Sequence, residues 1–116
     1  MVIIQRMTEN QIEEYNIDAG NADIIYGLEE NGILRGFISA DIDGDVLFIN
    51  KLDDEKLSLT EVDGLMRAIL NQAINMGIKK ARVTALYESI FEPLKFFTEN
   101  RQCDIKSFFE MGCSHE

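Results

Sequence analysis

Three residues near the end of the sequence could act as a nucleophile or hold a metal: Cys103, Cys113 and His115. A thiolate nucleophile needs an imidazole within hydrogen-bond reach, and His115 is the next-to-last residue of the sequence, in a position where chains commonly fray. The two cysteines do not form a CxxC pair, and one histidine cannot complete a four-ligand zinc set. We therefore expect free thiols in a reducing compartment and no metal site.

A second candidate for metal chemistry is the acidic run DIDGD at residues 41–45. A calcium-binding EF-hand loop has glycine at its sixth position and glutamate at its twelfth. Counted from Asp41, those positions hold Val46 and Leu52, so the run does not fit a calcium loop. Asp43-Gly44 is instead typical of a tight turn between two strands.

The composition predicts one acidic globular domain. The 116 residues are 46% hydrophobic, and 21 acidic against 11 basic residues give a net charge of −10. Nucleic-acid binding is not expected, because phosphate recognition needs clustered lysine and arginine. The acidity could attract a cationic amine or a lysine-rich tail, or it could serve solubility alone. No membrane-spanning run or signal peptide is recognisable, so we expect a single domain over residues 1–116, in the cytoplasm and without a membrane partner.

Strands dominate the first half of the chain. β-branched and aromatic residues predict strands at residues 2–7, 22–28, 33–42 and 46–52, joined by turns that include Asn31-Gly32 and Asp43-Gly44. Thr8 and Gln11 form a capping box for a brief helix after the first strand. Alternation along residues 33–42 predicts that one face alone enters the core. That face carries Leu34, Gly36, Ile38, Ala40 and Ile42.

The clearest helix begins after Ser58. Ser58 and Glu61 make a capping box, and Leu57 and Val62 make a hydrophobic staple. Apolar residues repeat at three- and four-residue steps, at Val62, Leu65, Met66, Ile69, Leu70 and Ala73. Gly77 ends the helix.

A strand-like run, Lys80–Leu86, follows that helix. A helix between two strands of one sheet implies a parallel crossover. The predicted fold class is therefore α+β: a single-layer mixed sheet, with an antiparallel meander followed by a parallel crossover, flanked by helices.

This order of elements resembles the GCN5-related N-acetyltransferase (GNAT) superfamily. The likeness covers Ile3 to Gly112 and is carried best by YGLEENGILRGFISAD, which is similar to the family's second and third strands, and by the helix-to-strand run ending NMGIKKARV. The resemblance implies an acyl-CoA-dependent N-acetyltransferase that acts on an amine. In the family the fourth strand splays from its neighbour and its backbone binds the pantetheine arm. Here that role would fall to Asn50, Lys51 and Leu52.

The family's next loop, with the pattern Arg/Gln-x-x-Gly-x-Gly/Ala, wraps the pyrophosphate at a helix N-terminus. Counted back from Gly77, the three motif positions hold Leu57, Thr60 and Val62, and Ser58 lies between the first two. None matches, and glycine is what lets backbone N–H groups approach phosphate closely. The nearby carboxylates would also repel a pyrophosphate; they are Asp53, Asp54, Glu55 and Glu61. The resemblance therefore implies a degenerate member that binds acetyl-CoA weakly.

The catalytic residues are left open. In the family a tyrosine before a Gly-Phe pair often protonates the leaving thiolate, but SFFEMGC puts Phe108 at that place, and phenylalanine cannot donate a proton. Tyr87 could substitute, or it could be structural. Asp41, on the polar face of its strand with Ser39 and near Asn50, is a candidate general base or a solvated turn carboxylate. The sequence stops four residues after Gly112, so the family's closing hairpin strands are expected to be absent or replaced.

Two other interpretations remain open. A catalytically inactive GNAT-fold protein, kept as a binding or regulatory module with a protein partner, is equally consistent with the missing glycines. A small α/β module similar to anti-sigma-factor antagonists would use Ser58, Thr60 and Gly64-Leu65 at the helix start, although the two hairpins disfavour it. An open sheet edge could also pair with a second copy to form a homodimer.

Overall fold

The computed structural model describes residues 1–20, 22–84 and 102–105, and these form one six-stranded sheet with two helices. The elements are β1 (Val2–Arg6), α1 (Glu9–Glu14), β2 (Ile24–Glu30), β3 (Ile33–Asp43), β4 (Val46–Asp53), α2 (Leu59–Asn75), β5 (Lys80–Val83) and β6 (Gln102–Asp104). The strands lie in the sheet in chain order. Neighbours are antiparallel except β4 and β5, which are parallel. The predicted meander and crossover are therefore confirmed.

The helix α2 covers one face of the sheet with the predicted apolar stripe. All six predicted positions are buried, and Leu65, Met66 and Ile69 have no exposed surface. They join one large cluster with side chains from the strands; these include Ile24, Leu28, Ile38, Ala40, Leu47 and Ile49. Both predicted capping boxes, at Thr8 and Ser58, are present.

The opposite face of the sheet is also buried, so the prediction that one face of β3 alone enters the core is wrong. Phe37, which is 5% exposed, forms a second cluster with Met7 and Ile25. Ile24 and Ile25 are consecutive but belong to different clusters, as expected when successive side chains point to opposite faces of a strand. Residues of α1 and the connection after it cover this second cluster.

A β-bulge changes the face on which Leu34 lies. Leu28 pairs with Gly36 while Glu29 pairs with Leu34, so Arg35 is an extra residue in β3. One extra residue reverses the alternation on one side of the bulge. Leu34 therefore packs against the second cluster, and its predicted place on the same face as Ile38 is wrong.

A sixth strand closes the described sheet. β6 pairs antiparallel with β5, and Ile105, which follows it, is fully buried in the first cluster. The expectation that the closing hairpin strands are absent or replaced stays a prediction, because residues 85–101 and 106–116 lie outside the described part of the chain. Residues 85 and 86 of the predicted strand, the predicted segments at 90–100 and 106–111, and Tyr87, Phe108, Cys113 and His115 lie outside the described residues.

No helix in the described part of the chain is long and apolar enough to cross a membrane, and no group of three or more His, Cys, Asp or Glu residues in that part is placed to hold a metal ion.

Candidate functional site

The fourth strand has a bulge at the first of the predicted cofactor residues. Ser39 pairs with Lys51 and Ala40 pairs with Ile49, so Asn50 is the extra residue in β4. Such a residue leaves the ladder of backbone hydrogen bonds and bends its strand. Because of the bulge, the consecutive side chains of Asn50 and Lys51 lie on the same face, the one that carries Ser39 and Phe37.

The end of β4 runs past the end of β5. The parallel pairing stops at Ile49 and Val83, where β5 ends, whereas β4 continues to Asp53. The predicted residues Asn50, Lys51 and Leu52 all lie in this last part of β4. The side chain of Leu52 is 5% exposed and packs in the first cluster, so only its backbone could contact a ligand.

A chain of hydrogen bonds fixes the side chain of Asn50 at the bulge. Ser39 Oγ donates to Asn50 Oδ1 at 2.6 Å, and Asn50 Nδ2 donates to Asp41 Oδ2 at 2.7 Å. Ser39 is fully buried, while Asn50 and Asp41 are partly exposed. The amide thus orients the carboxylate of Asp41, which could accept a proton from a ligand through its other oxygen. A catalytic role for Asp41 stays a prediction.

The N-terminus of α2 is closed by its own side chains. Ser58 Oγ accepts a hydrogen bond from the Glu61 N–H at 3.2 Å, and Glu61 Oε1 accepts one from the Ser58 N–H at 2.9 Å. Both N–H groups belong to the set that a bound phosphate would use at a helix start. Of the other two predicted loop residues in this turn, Thr60 is exposed, whereas Val62 is 2% exposed and belongs to the first cluster.

The loop before α2 packs directly onto β3. A β-carbon on Gly36 would lie 2.4 Å from the Asp53 carbonyl oxygen and 2.6 Å from Leu57 Cδ1, so only glycine allows this approach. Leu57, a predicted loop residue, is partly buried and packs against the first cluster. Arg35 forms an ion pair with Glu30 and donates from Nη2 to the Lys56 carbonyl at 3.0 Å. No local sequence pattern indicates a role for Arg35, because its position depends on the bulge.

A cleft of about 320 Å³ lies beside the end of β4. It is lined by the connection after α1, by β3 and by the last residues of β4; the lining residues are Tyr15, Asn16, Ile17, Asp18, Leu34, Phe37, Lys51, Leu52 and Asp53. The predicted residues Lys51 and Leu52 therefore line a cleft. Most of the other residues that line it were not predicted from the sequence. Tyr15 and Phe37 were the available signals, as aromatic residues in segments of polar or alternating pattern.

The hydroxyl of Tyr15 is held by a buried carboxylate. It donates to Glu29, which is 9% exposed and also accepts from Gln5 Nε2, and it lies 3.1 Å from the Gly32 carbonyl oxygen. The hydrogen bond to Glu29 is the main cause that raises the pKa of Tyr15 to about 12, with burial and the charges of Glu29 and Glu14 adding to it. Tyr15 is therefore neutral at pH 7, and its single hydroxyl proton is already donated to Glu29.

The ammonium group of Lys51 lies inside the same cleft. It donates a hydrogen bond to the Asp18 carbonyl oxygen, lies 3.6 Å from Asp18 Oδ2, and stands 5.9 Å from the centre of the Phe37 ring. The side chain of Lys51 thus joins β4 to the connection after α1, across 33 residues of sequence.

Comparisons with known proteins agree with this architecture. No protein-family model matches the sequence, and no curated protein sequence matches it. Solved structures do match. The ribosomal-protein-S18-alanine N-acetyltransferase of Escherichia coli has a TM-score of 0.65 at 12% identity, covering 90% of this chain and 94% of that one. An acetyltransferase of the GNAT family from Staphylococcus aureus has 0.63 at 13% identity, covering 84% and 85%.

A third solved structure contains the cofactor. A predicted acetyltransferase from Clostridium acetobutylicum, solved with acetyl-CoA, has a TM-score of 0.61 at 14% identity, covering 86% of this chain and 92% of that one. The chain therefore has the fold of the GNAT acetyltransferases, as its sequence predicted. At these identities the likeness shows the fold and not the activity.

Proposed function

We propose that this chain binds acetyl-CoA along the end of β4 and transfers the acetyl group to an amine. The observation that carries the proposal is the bulge at Asn50 in a strand that runs past its parallel neighbour. A bulge releases backbone groups from the sheet ladder, and Asn50, Lys51 and Leu52 are then the residues whose backbone would bond the pantetheine arm. A structure of the same fold solved with acetyl-CoA supports this choice of cofactor.

The proposed reaction needs little from the protein beyond position and one proton acceptor. The amine nitrogen attacks the thioester carbonyl carbon, a C–N bond forms, the C–S bond breaks, and the nitrogen loses a proton as the thiolate leaves. Asp41, oriented by Asn50, is the residue we assign as the proton acceptor. Tyr15 is unsuited to protonate the thiolate, because its proton is held by Glu29 and its pKa is raised to about 12.

Cofactor binding is proposed to be weak. The capping box of α2 uses the N–H groups of Ser58 and Glu61. Where the family has an open phosphate loop, Val62 lies in the core and Leu57 packs against it. Weak cofactor binding is also consistent with a second function: a GNAT-fold module that binds a partner without transferring an acetyl group. The same capping box is the observation that favours it.

A transfer assay separates the two functions. The protein is incubated with acetyl-CoA and a panel of primary amines, and acetylated amine is measured by mass spectrometry, since Cys103 and Cys113 would disturb a thiol-release assay. Product that depends on the protein and falls strongly in Asp41→Asn supports the transferase. Asp45→Asn, the same change at an exposed residue of the turn between β3 and β4, is the control. No product with any amine at millimolar acetyl-CoA would favour the binding module.

A further inference from the structure

The cleft beside β4 holds a positively charged group that belongs to the chain itself. The Lys51 ammonium is bonded to the Asp18 carbonyl oxygen, with the Asp18 carboxylate at 3.6 Å and the ring of Phe37 below it at 5.9 Å. A carbonyl oxygen, a carboxylate and an aromatic face are the three kinds of group that attract an ammonium ion. We call this set the ammonium seat.

We infer that the ammonium seat is a binding site for primary alkylammonium groups and that Lys51 occupies it as an intramolecular stand-in for the ligand. As the site of the acceptor amine this rests on the proposed function, whereas the seat itself does not.

The remaining walls of the cleft fit the same ligand. The single proton of the Tyr15 hydroxyl is committed to Glu29, so toward a ligand this hydroxyl can only accept a hydrogen bond. Asp53 adds a second carboxylate, and Lys51 is the one lysine or arginine among the residues that line the cleft in the described part of the chain. Ile17 and Leu34 supply apolar surface for an alkyl chain. Without the Lys51 ammonium the lining would carry only negative charge.

Lys51 occupies the ammonium seat, but the contacts that hold it there are weak. Its side chain is 38% exposed, and the carboxylate of Asp18 is 93% exposed, so the ion pair is screened by water and weak. The contacts with the ring and the carbonyl oxygen are also made at a partly exposed position, where such contacts add little. An external amine at sufficient concentration can therefore compete with Lys51.

Removal of the lysine should make the seat available to a ligand of matching length. Lys51→Ala deletes three methylene groups and the ammonium, which n-propylammonium replaces atom for atom. The experiment measures the melting temperature of Lys51→Ala as n-propylammonium chloride is added, against sodium chloride at equal ionic strength. We expect a saturable rise of about 2–6 °C.

Four comparisons make the result specific. Neither n-propanol, which lacks the charge, nor tetramethylammonium, which lacks N–H donors, should raise the melting temperature. The matched control is Arg67→Ala, which removes a cation that is 2.8 Å from Asp63 on the surface of α2, and which should show no rise with n-propylammonium. Wild type should respond less than Lys51→Ala, because Lys51 competes for the seat.

A second variant covers the case in which Lys51→Ala does not fold. Lys51→Met keeps an unbranched apolar stem of the same number of heavy atoms, with sulfur in place of one methylene group, and removes the ammonium. The ammonium ion is then the matching probe. Saturable NMR shifts at Asp18 and Phe37, absent with sodium, would support the seat.

Equal responses in Lys51→Ala, wild type and Arg67→Ala, or equal effects of n-propylammonium and n-propanol, would overturn the inference. These experiments contain no acetyl-CoA, so their failure is distinct from a failure of acetyl transfer.

Discussion

Ser58 and Glu61 bond each other across the first turn of α2, each side chain accepting from the backbone N–H of the other at 3.2 and 2.9 Å. The unbonded N–H groups at a helix start attract anions, and these two are already satisfied from within the chain. The same bonds that stabilise α2 therefore oppose the binding of a pyrophosphate at this position.

Ser58→Ala should lower the free energy of unfolding by about 1 kcal/mol, because it removes an N-cap from a 17-residue helix. Thr60→Ala is the control, since Thr60 is exposed and makes no cap; it should change stability by less than about 0.5 kcal/mol. Urea denaturation measures both. Equal losses would mean that the capping box does not hold the helix end.

Acetyl-CoA should bind with a Kd no tighter than roughly 100 μM, as the α2 N-terminus is capped and flanked by carboxylates. Calorimetry that gives a low-micromolar Kd would contradict this. If the pyrophosphate lies at this helix start, Thr60→Lys should tighten binding and Thr60→Glu should weaken it. Asn71→Lys and Asn71→Glu make the same charge changes at an exposed position on the same helix and should have little effect at 0.15 M salt.

The sequence predicted the elements better than the faces of the strands. The stripe and cap of α2 and the crossover to β5 are local patterns of period and end residues, and they were predicted correctly. The bulges at Arg35 and Asn50 each add one residue that no local pattern marks, and each reverses which side chains share a face. The second cluster around Phe37 was missed for a different reason: its cover is a short helix of six residues with no buried positions of its own.

The candidate site, too, was predicted only in part. The strand order placed Asn50, Lys51 and Leu52 at the end of β4, where the structure also has them. The cleft that Lys51 and Leu52 line is also bounded by the connection after α1, where Asp18 contacts Lys51 across 33 residues of sequence. A long-range contact of this kind follows from the packing of α1 on the sheet and has no sequence period.

The pKa of Tyr15 should be measurable by ultraviolet titration, since it is one of three tyrosines. It is raised from 10.0 to about 12, so the folded state keeps a proton that the unfolded state loses above pH 10. The stabilising contribution is complete below pH 10 and is lost as the pH rises toward 12. Tyr15→Phe should remove the high-pH transition, and Glu29→Gln should lower the pKa of Tyr15 toward its ordinary value. An unchanged titration curve in Glu29→Gln would show that the hydrogen bond is not the cause.

Asn50→Ala should destabilise the fold by about 1–3 kcal/mol, because it leaves the hydroxyl of Ser39 buried without its acceptor. The double variant Ser39→Ala with Asn50→Ala should lose less than the sum of the single variants, since it leaves no unpaired buried group. Asp41→Asn keeps an oxygen acceptor for Asn50 Nδ2 and should cost less than Asn50→Ala. Additive losses in chemical denaturation would show that Ser39 and Asn50 do not depend on each other.

Ile69 offers the sharpest test of how α2 packs. It has no exposed surface and lies in the middle of the stripe, one turn from Leu65 and Ala73. Ile69→Ala should lower the free energy of unfolding by about 2–5 kcal/mol, a large part of the roughly 5–15 kcal/mol typical of such a domain.

The control for Ile69→Ala is an exposed residue of the same helix that makes no hydrogen bond to the sheet. Helical period places both Asn71 and Gln72 away from the stripe, but Gln72 accepts a hydrogen bond from the Tyr26 hydroxyl at 3.1 Å and is partly buried. Asn71 is exposed, so Asn71→Ala should change stability by less than about 0.5 kcal/mol, while Gln72→Ala should cost more, about 1 kcal/mol. Similar losses for Ile69→Ala and Asn71→Ala in urea denaturation would mean that α2 does not pack its predicted stripe on the sheet, and the acetyltransferase architecture would lose its main support.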